Sequence, residues 1–218
     1  MAGTRRNGFA FAALRPTSTA MTSRLTLPSL PPDLPPGLPS RFLEAAMAHG
    51  GRALPPVERW NPAYCGEIDM RIARDGRWFY MGTPITRPAL VKLFSTILRK
   101  DEDRHVLVTP VERVGIEVED APFLAVEMAE IEAEGAPGLA FRTNLDEIVT
   151  VDAAHPVRFD VEPGGGLKPY VLVRGGLWAR LTRALAIDLA ERLIETPDGR
   201  IGLAAGGQFF GVPEAGHA

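Results

Sequence analysis

Two arginines are the residues best placed to do chemistry. Arg87 and Arg174 each stand where a strand is expected to end and a helix to begin. A helix start offers free amide donors and the positive end of the peptide dipoles, so it draws anions. A guanidinium there adds a planar fork that matches phosphate or carboxylate. Thr109, Asp120, Tyr170 and Arg180 fall near enough in the inferred topology to line the same cleft, with a hydroxyl, an acceptor, a stacking ring and a third cation. The chemistry of that set is anion binding. The other reading of each arginine is an ion pair with an acid such as Asp69 or Asp120 that fastens an interface.

Catalysis has less support. Cys65 has no nearby histidine or other activator, and Ser95 lies inside an apolar helical stretch. His105 and His155 read as structural strand residues. No HxH, HExxH or CxxC occurs, and the acids from Glu112 to Glu134 lack a calcium-loop spacing, so neither a metal nor a cofactor is expected. Those acids read instead as the wet face of a sheet.

The bulk properties limit the partners. The chain has 218 residues, 45% hydrophobic and 23% charged, which is ordinary globular composition. A net charge of −3 gives no steering toward nucleic acid. No apolar run approaches the roughly 20 residues of a membrane span. The single cysteine excludes an internal disulfide and fits a reducing, cytoplasmic location.

The elements that must position the arginines follow from periodicity. Residues 1–40 read as a disordered tail, rich in proline from Pro28 to Pro39. Ser40 can cap a short helix that ends at Gly50-Gly51. Ile68, Met70 and Ile72 alternate with charged residues, hence a strand. Asp75-Gly76 suits a hairpin turn, and Trp78 to Met81 returns as its partner. Pro88 opens a helix whose apolar stripe is Leu90, Leu93, Phe94, Ile97 and Leu98. Short strands follow to Ile131, and again from Leu139 to Val173. Leu177, Leu181, Leu185 and Leu189 predict a second helix over 177–194, before two last strands at 201–204 and 208–212.

A shift of 87 positions lays Arg87 on Arg174, Leu90 on Leu177 and Thr109-Pro110 on Thr196-Pro197. The expectation is an α+β fold of two tandem similar units, 41–135 and 136–218. Each is a small, mainly antiparallel sheet with one main helix. A pseudo-twofold packing of such units would turn both arginines toward one cleft.

Several runs carry a resemblance. Cys65-Gly66-Glu67-Ile68-Asp69, Asp75-Gly76-Arg77-Trp78, Ile85-Thr86-Arg87, Leu93-Phe94-Ser95, Val108-Thr109-Pro110 and Val118 to Phe123 are similar to an uncharacterised bacterial family, domain of unknown function 1285. Pro169-Tyr170-Val171 and Val173 to Arg180 agree with it. The resemblance runs from about Pro56 to Val212. It implies a duplicated α+β fold whose second domain is loosely similar to pleckstrin-homology folds. It also implies a small-ligand site between the domains, for a nucleotide or a similar molecule, and a role in signalling. The functional expectation is therefore a non-enzymatic cytoplasmic protein that binds a nucleotide-like or other anionic small molecule. The alternatives are a protein-interaction module without a small ligand, and an enzyme of unknown hydrolytic type.

Overall fold

The computed structural model describes residues 54–133, 136–162, 164 and 166–213. The expected tail 1–40, the helix after Ser40 and the opening of the unit expected over 41–135 lie outside the described residues.

The first sheet begins with β1 (Tyr64–Ile72), whose inward side chains Met70 and Ile72 are buried. The Asp75-Gly76 turn returns the chain as β2 (Trp78–Tyr80), in register Met70 to Tyr80 and Ile72 to Trp78, and β3 (Thr83–Pro84) follows. Pro88 starts α1 (Pro88–Thr96), where its missing amide hydrogen costs nothing. Leu90, Val91 and Phe94 of α1 are buried, and Phe94 stacks on Trp78 with ring centres 6.3 Å apart. Burying that stripe against the sheet is what stabilises so short a helix. Strands β4 (Leu98–Asp101), β5 (Arg104–Val108) and β6 (Arg113–Val118) then form an antiparallel meander. β6 lies parallel to β1, which closes a six-stranded sheet in the order β3-β2-β1-β6-β5-β4.

The second sheet repeats this plan with new strands. β7 (Phe123–Ala133), β8 (Ala136–Thr143) and β9 (Ile148–Thr150) form one meander. β10 (Val157–Val161), β11 (Leu167–Arg174) and β12 (Leu177–Leu181) form the other. The parallel pair β12–β7 joins them, in the order β10-β11-β12-β7-β8-β9. Phe123, Phe141, Val171 and Ala179 bury its inner face. After β12 come α2 (Arg183–Ala190) and a separate three-stranded sheet of β13 (Leu193–Glu195), β14 (Ile201–Ala205) and β15 (Gln208–Gly211).

The architecture corrects the expected α+β pair. Strands make up 51% of the described structure and helices 13%, with two short α-helices and three sheets. The helix expected over 177–194 is a strand from Leu177 to Leu181 and a helix only from Arg183. The turn before it explains the strand: Gly175 and Gly176 take φ of 46° and 76°, a left-handed pair that glycine adopts freely and that folds β12 back on β11. An offset of 87 therefore lays Leu90 of a helix on Leu177 of a strand, and the helix-on-helix duplication fails. The second part is not a pleckstrin-like unit either, since its six strands merge through a parallel pair and its last three stand apart. Phe123–Ala133, which the boundary at 135/136 assigns to the first unit, pairs on both sides within the second sheet.

Candidate functional site

The outer face of the second sheet gathers the charged and aromatic side chains. Residues directly opposite across strands point to the same side. Arg158, Tyr170 and Arg180 form one such row, Asp160 and Lys168 a second, Leu172 and Trp178 a third. Alternation sends Phe159, Val171, Ala179 and Leu181 to the opposite, buried face. The polar row is thus fixed by the pleat once the core residues are inside.

Asp120, in the link between β6 and β7, meets this row. Tyr170 Oη donates to Asp120 Oδ1 at 2.7 Å. Asp120 Oδ2 lies 3.1 Å from Lys168 Nζ and 3.4 Å from Arg180 Nη1. These two contacts are ionic rather than well-aligned hydrogen bonds, since Oδ2 is buried and no hydrogen bond to it meets the angular requirement. Arg180 Nη2 donates to the Arg74 carbonyl at 2.7 Å, and its buried Nε has no hydrogen-bond partner among the described residues. The Arg158 guanidinium lies 4.6 Å from the centre of the Tyr170 ring and 4.7 Å from that of Trp178, within cation–π range.

Electrostatics sets what this cluster can do. The hydrogen bond to Tyr170, with the pairing to Asp120, holds Lys168 above the usual lysine range against the opposing effect of burial. Burial raises the Tyr170 phenol. Lys168 is therefore a fixed cation and Tyr170 a neutral hydroxyl at neutral pH, a poor arrangement for a base or a nucleophile. Asp120 and Glu162 stand against Lys168, Arg180 and Arg183, so one positive charge is left over. A cavity of about 630 Å³ opens beside them, lined by Glu162, Lys168, Arg180 and Arg183 together with apolar residues of β11, β12 and α2.

Asp120, Tyr170 and Arg180, three of the six residues expected to line an anion cleft, come together here. Arg174 lies elsewhere. Its Nε is 3.1 Å from Glu147 Oε2, its Nη2 donates to the Ser95 carbonyl at 2.7 Å and its Nη1 to Leu98 O at 3.3 Å. The Ser95 carbonyl belongs to the last turn of α1, where a cation suits the dipole, and Leu98 opens β4 just beyond it. Arg87 is the residue before the other end of α1, and its Nη1 is buried with no hydrogen-bond partner among the described residues. Arg87 and Arg174 thus stand at opposite ends of α1, a helix roughly 13 Å long. Thr109 is fully buried, and its Oγ1 accepts from the amides of Val111 and Glu112 to lock the β5–β6 turn.

Lys168, Arg158 and Arg183 escaped the sequence reading. The alternation of Lys168, Tyr170 and Leu172 is a legible signal that the first two share a face. The sequence reading set Asp120 in one cleft with Tyr170 and Arg180 but gave no sign that it pairs with Lys168, 48 positions away. Among the described residues no three His, Cys, Asp or Glu side chains converge as metal donors, and no helix is long and apolar enough to cross a membrane.

Comparison with known proteins gives a family. Residues 55–121 match the model for the N-terminal domain of DUF1285, described as a domain of unknown function. Residues 122–212 match the model for its C-terminal domain, described as a protein of unknown function. The chain is similar to the crystal structure of a DUF1285 family protein from Silicibacter pomeroyi DSS-3, at 44% identity and TM-score 0.72, over 80% of this chain and 95% of that one. A DUF1285 family protein from Shewanella baltica OS155 matches at 29% identity and TM-score 0.45, over 57% and 91%. No curated protein matches the chain.

Proposed function

The chain belongs to the DUF1285 family, whose name carries no activity, and on that premise we propose that it is a non-enzymatic binding protein for an anionic small molecule, nucleotide-like compounds included. One observation carries the reading: Asp120, held by Tyr170, sits between Lys168 and Arg180 and leaves net positive charge beside a cavity. About 630 Å³ is in the size range of small-molecule sites. Lys168 and Arg180 have side chains 23% and 22% exposed, enough to reach a ligand while Asp120 holds them in place. Preorganised cations of this kind cost little to order on binding. The exposed single Cys65 fits a reducing cytoplasm.

A second reading, a protein-interaction module, draws on Ile194 and Ile201, which are half exposed on neighbouring strands of the third sheet. The enzyme reading has no comparable support, because the site holds its lysine charged.

Thermal shift and calorimetry with inorganic phosphate, pyrophosphate and adenosine monophosphate test the proposal. A bound anion raises the melting temperature, since it binds only the folded state. Arg180→Ala and Lys168→Ala should each weaken binding by about 10- to 100-fold, the range of charge-assisted hydrogen bonds. Unchanged melting with every anion, organic carboxylates included, would sink it.

A further inference from the structure

The first sheet carries a polar face of its own. Tyr64 of β1 lies opposite Arg113 of β6, and Glu67 lies opposite Gly115, with one extra residue of β1 taken up between the two pairs. Gly115 faces Val106 of β5, Val106 faces Arg99 of β4, and Asp101 faces Arg104. Opposite positions share a side of a sheet, so all of these stand on one face. Leu98, Leu107 and Val114 take the other face and are buried. A Cβ on Gly115 would lie 2.6 Å from Tyr64 Oη and 2.8 Å from Glu67 Oε1. The glycine therefore lets Tyr64 lie across the sheet and donate to Glu67 at 3.0 Å.

Two guanidinium groups meet at that ring. Those of Arg104 and Arg113 lie 5.5 Å and 5.9 Å from its centre, within cation–π range. A cavity of about 630 Å³ opens there, lined by Tyr64, Asp101, Arg104, Val106 and Arg113. Asp101 does not neutralise Arg104, because Arg99 occupies both of its oxygens and Arg113 Nη1 shares Oδ2. Arg104 is exposed and makes no ion pair or hydrogen bond among the described residues. On this face Arg99, Arg104 and Arg113 stand against Glu67 and Asp101, and Lys100 and Glu102 at the cavity edge offset each other. One positive charge is left over, and it sits on a guanidinium with all its donors free.

We propose that this cavity binds the phosphate group of a small phosphomonoester between Arg104 and Arg113, with the organic part of the molecule against the Tyr64 ring. A planar carboxylate saturates one guanidinium fork, whereas a tetrahedral phosphate can present oxygens to forks that arrive from two strands. The volume is in the range of small-molecule sites and leaves room for more than a bare phosphate. This site is on the other sheet from the Asp120 cluster and does not rest on the reading of that cluster. No covalent step is involved.

The test is calorimetry on the full chain with inorganic phosphate, glycerol phosphate, phenyl phosphate and acetate. Phenyl phosphate should bind more tightly than inorganic phosphate, and acetate least. Arg104→Gln should weaken phenyl phosphate by about 10- to 100-fold, with the melting temperature in plain buffer unchanged. Arg104→Lys should recover only part of the loss, since an ammonium has no fork. Lys168→Ala should leave this binding event in place. Inorganic phosphate binding as tightly as both esters overturns the organic part of the ligand, and acetate binding as tightly as phosphate overturns the choice of phosphate. Binding that is lost in Lys168→Ala and intact in Arg104→Gln overturns this site and leaves the Asp120 site standing; the reverse pattern does the opposite. Absence of binding by every probe overturns both.

Discussion

Arg174 on β11 donates a 2.7 Å hydrogen bond to the carbonyl of Ser95, the next-to-last residue of α1. With the Leu98 carbonyl at 3.3 Å and Glu147 at 3.1 Å, its guanidinium ties the first sheet's helix to the second sheet. The arginine that looks most like a ligand residue in the sequence is a fastener. Arg174→Ala should cost about 2–3 kcal/mol, because it strands the mostly buried Glu147 and two carbonyls. Arg174→Lys should recover only part, since one ammonium cannot serve all three acceptors. Urea denaturation reads the loss, and an unchanged affinity for anions separates this role from a binding one.

Trp78 is 1% exposed and packs on Phe94, which is itself fully buried. Trp78→Ala should cost about 3–5 kcal/mol in chemical denaturation. Trp78→Phe should cost much less, since the indole Nε1 has no hydrogen-bond partner to lose among the described residues. A cost under about 1 kcal/mol for the alanine variant would mean the ring is dispensable to the core.

His105 should make stability fall with acid. Burial, and then the charge of Lys100 directly across β4–β5, lower its pKa from 6.5 to about 4. Between those values the unfolded chain binds the proton and the folded chain does not. Stability is therefore full above pH 6.5 and declines as pH falls toward 4. His105→Gln should flatten this part of the profile, measured as urea midpoints at half-unit intervals. An unchanged slope would assign the acid sensitivity to other groups.

Asp101 receives Arg99 through Oδ1 at 2.6 Å and Oδ2 at 3.0 Å, and Arg113 at 2.7 Å. Arg99 in turn donates to the carbonyls of Val57 and Trp60, which pins the entry of the chain to the sheet. The hydrogen bond from Arg99, then its charge and the contacts from Arg113, hold the Asp101 carboxyl below its ordinary 3.8 against the opposing effect of burial. A depressed carboxyl stabilises the fold above that value and stops doing so as pH falls through the folded pKa. Asp101→Asn should cost about 1–3 kcal/mol at pH 7, with the gap to the wild type closing below pH 3.8. A gap that stays constant with pH would show that shape, not charge, is what the carboxylate contributes.

Local order was legible where one period explained the pattern. The alternation of Ile68, Met70 and Ile72 marks β1, Asp75-Gly76 marks its turn, and Pro88 with Leu90 and Phe94 marks α1. The segment from Leu177 was misread because a four-residue spacing satisfies both periods: four is two strand repeats and about one helical turn. Leu177, Ala179 and Leu181 also alternate, and all are buried on one side of β12. The offset of 87 inherited that error, and with it the supposed equivalence of Arg87 and Arg174.

By itself the sequence determined the local elements through backbone preference and the burial of nearby apolar side chains, and it supplied Asp120, Tyr170 and Arg180 as candidates. Only the tertiary structure decided that β12 lies parallel to β7, that Tyr170 faces Arg180 across a hairpin, and that Asp120 reaches Lys168. Those are pairings between distant segments, and the pairing of two strands is chosen by the whole sheet and its core, not by either strand alone. The same holds for Arg174: its partners Ser95, Leu98 and Glu147 come from three other elements, so its role was set by where those elements met.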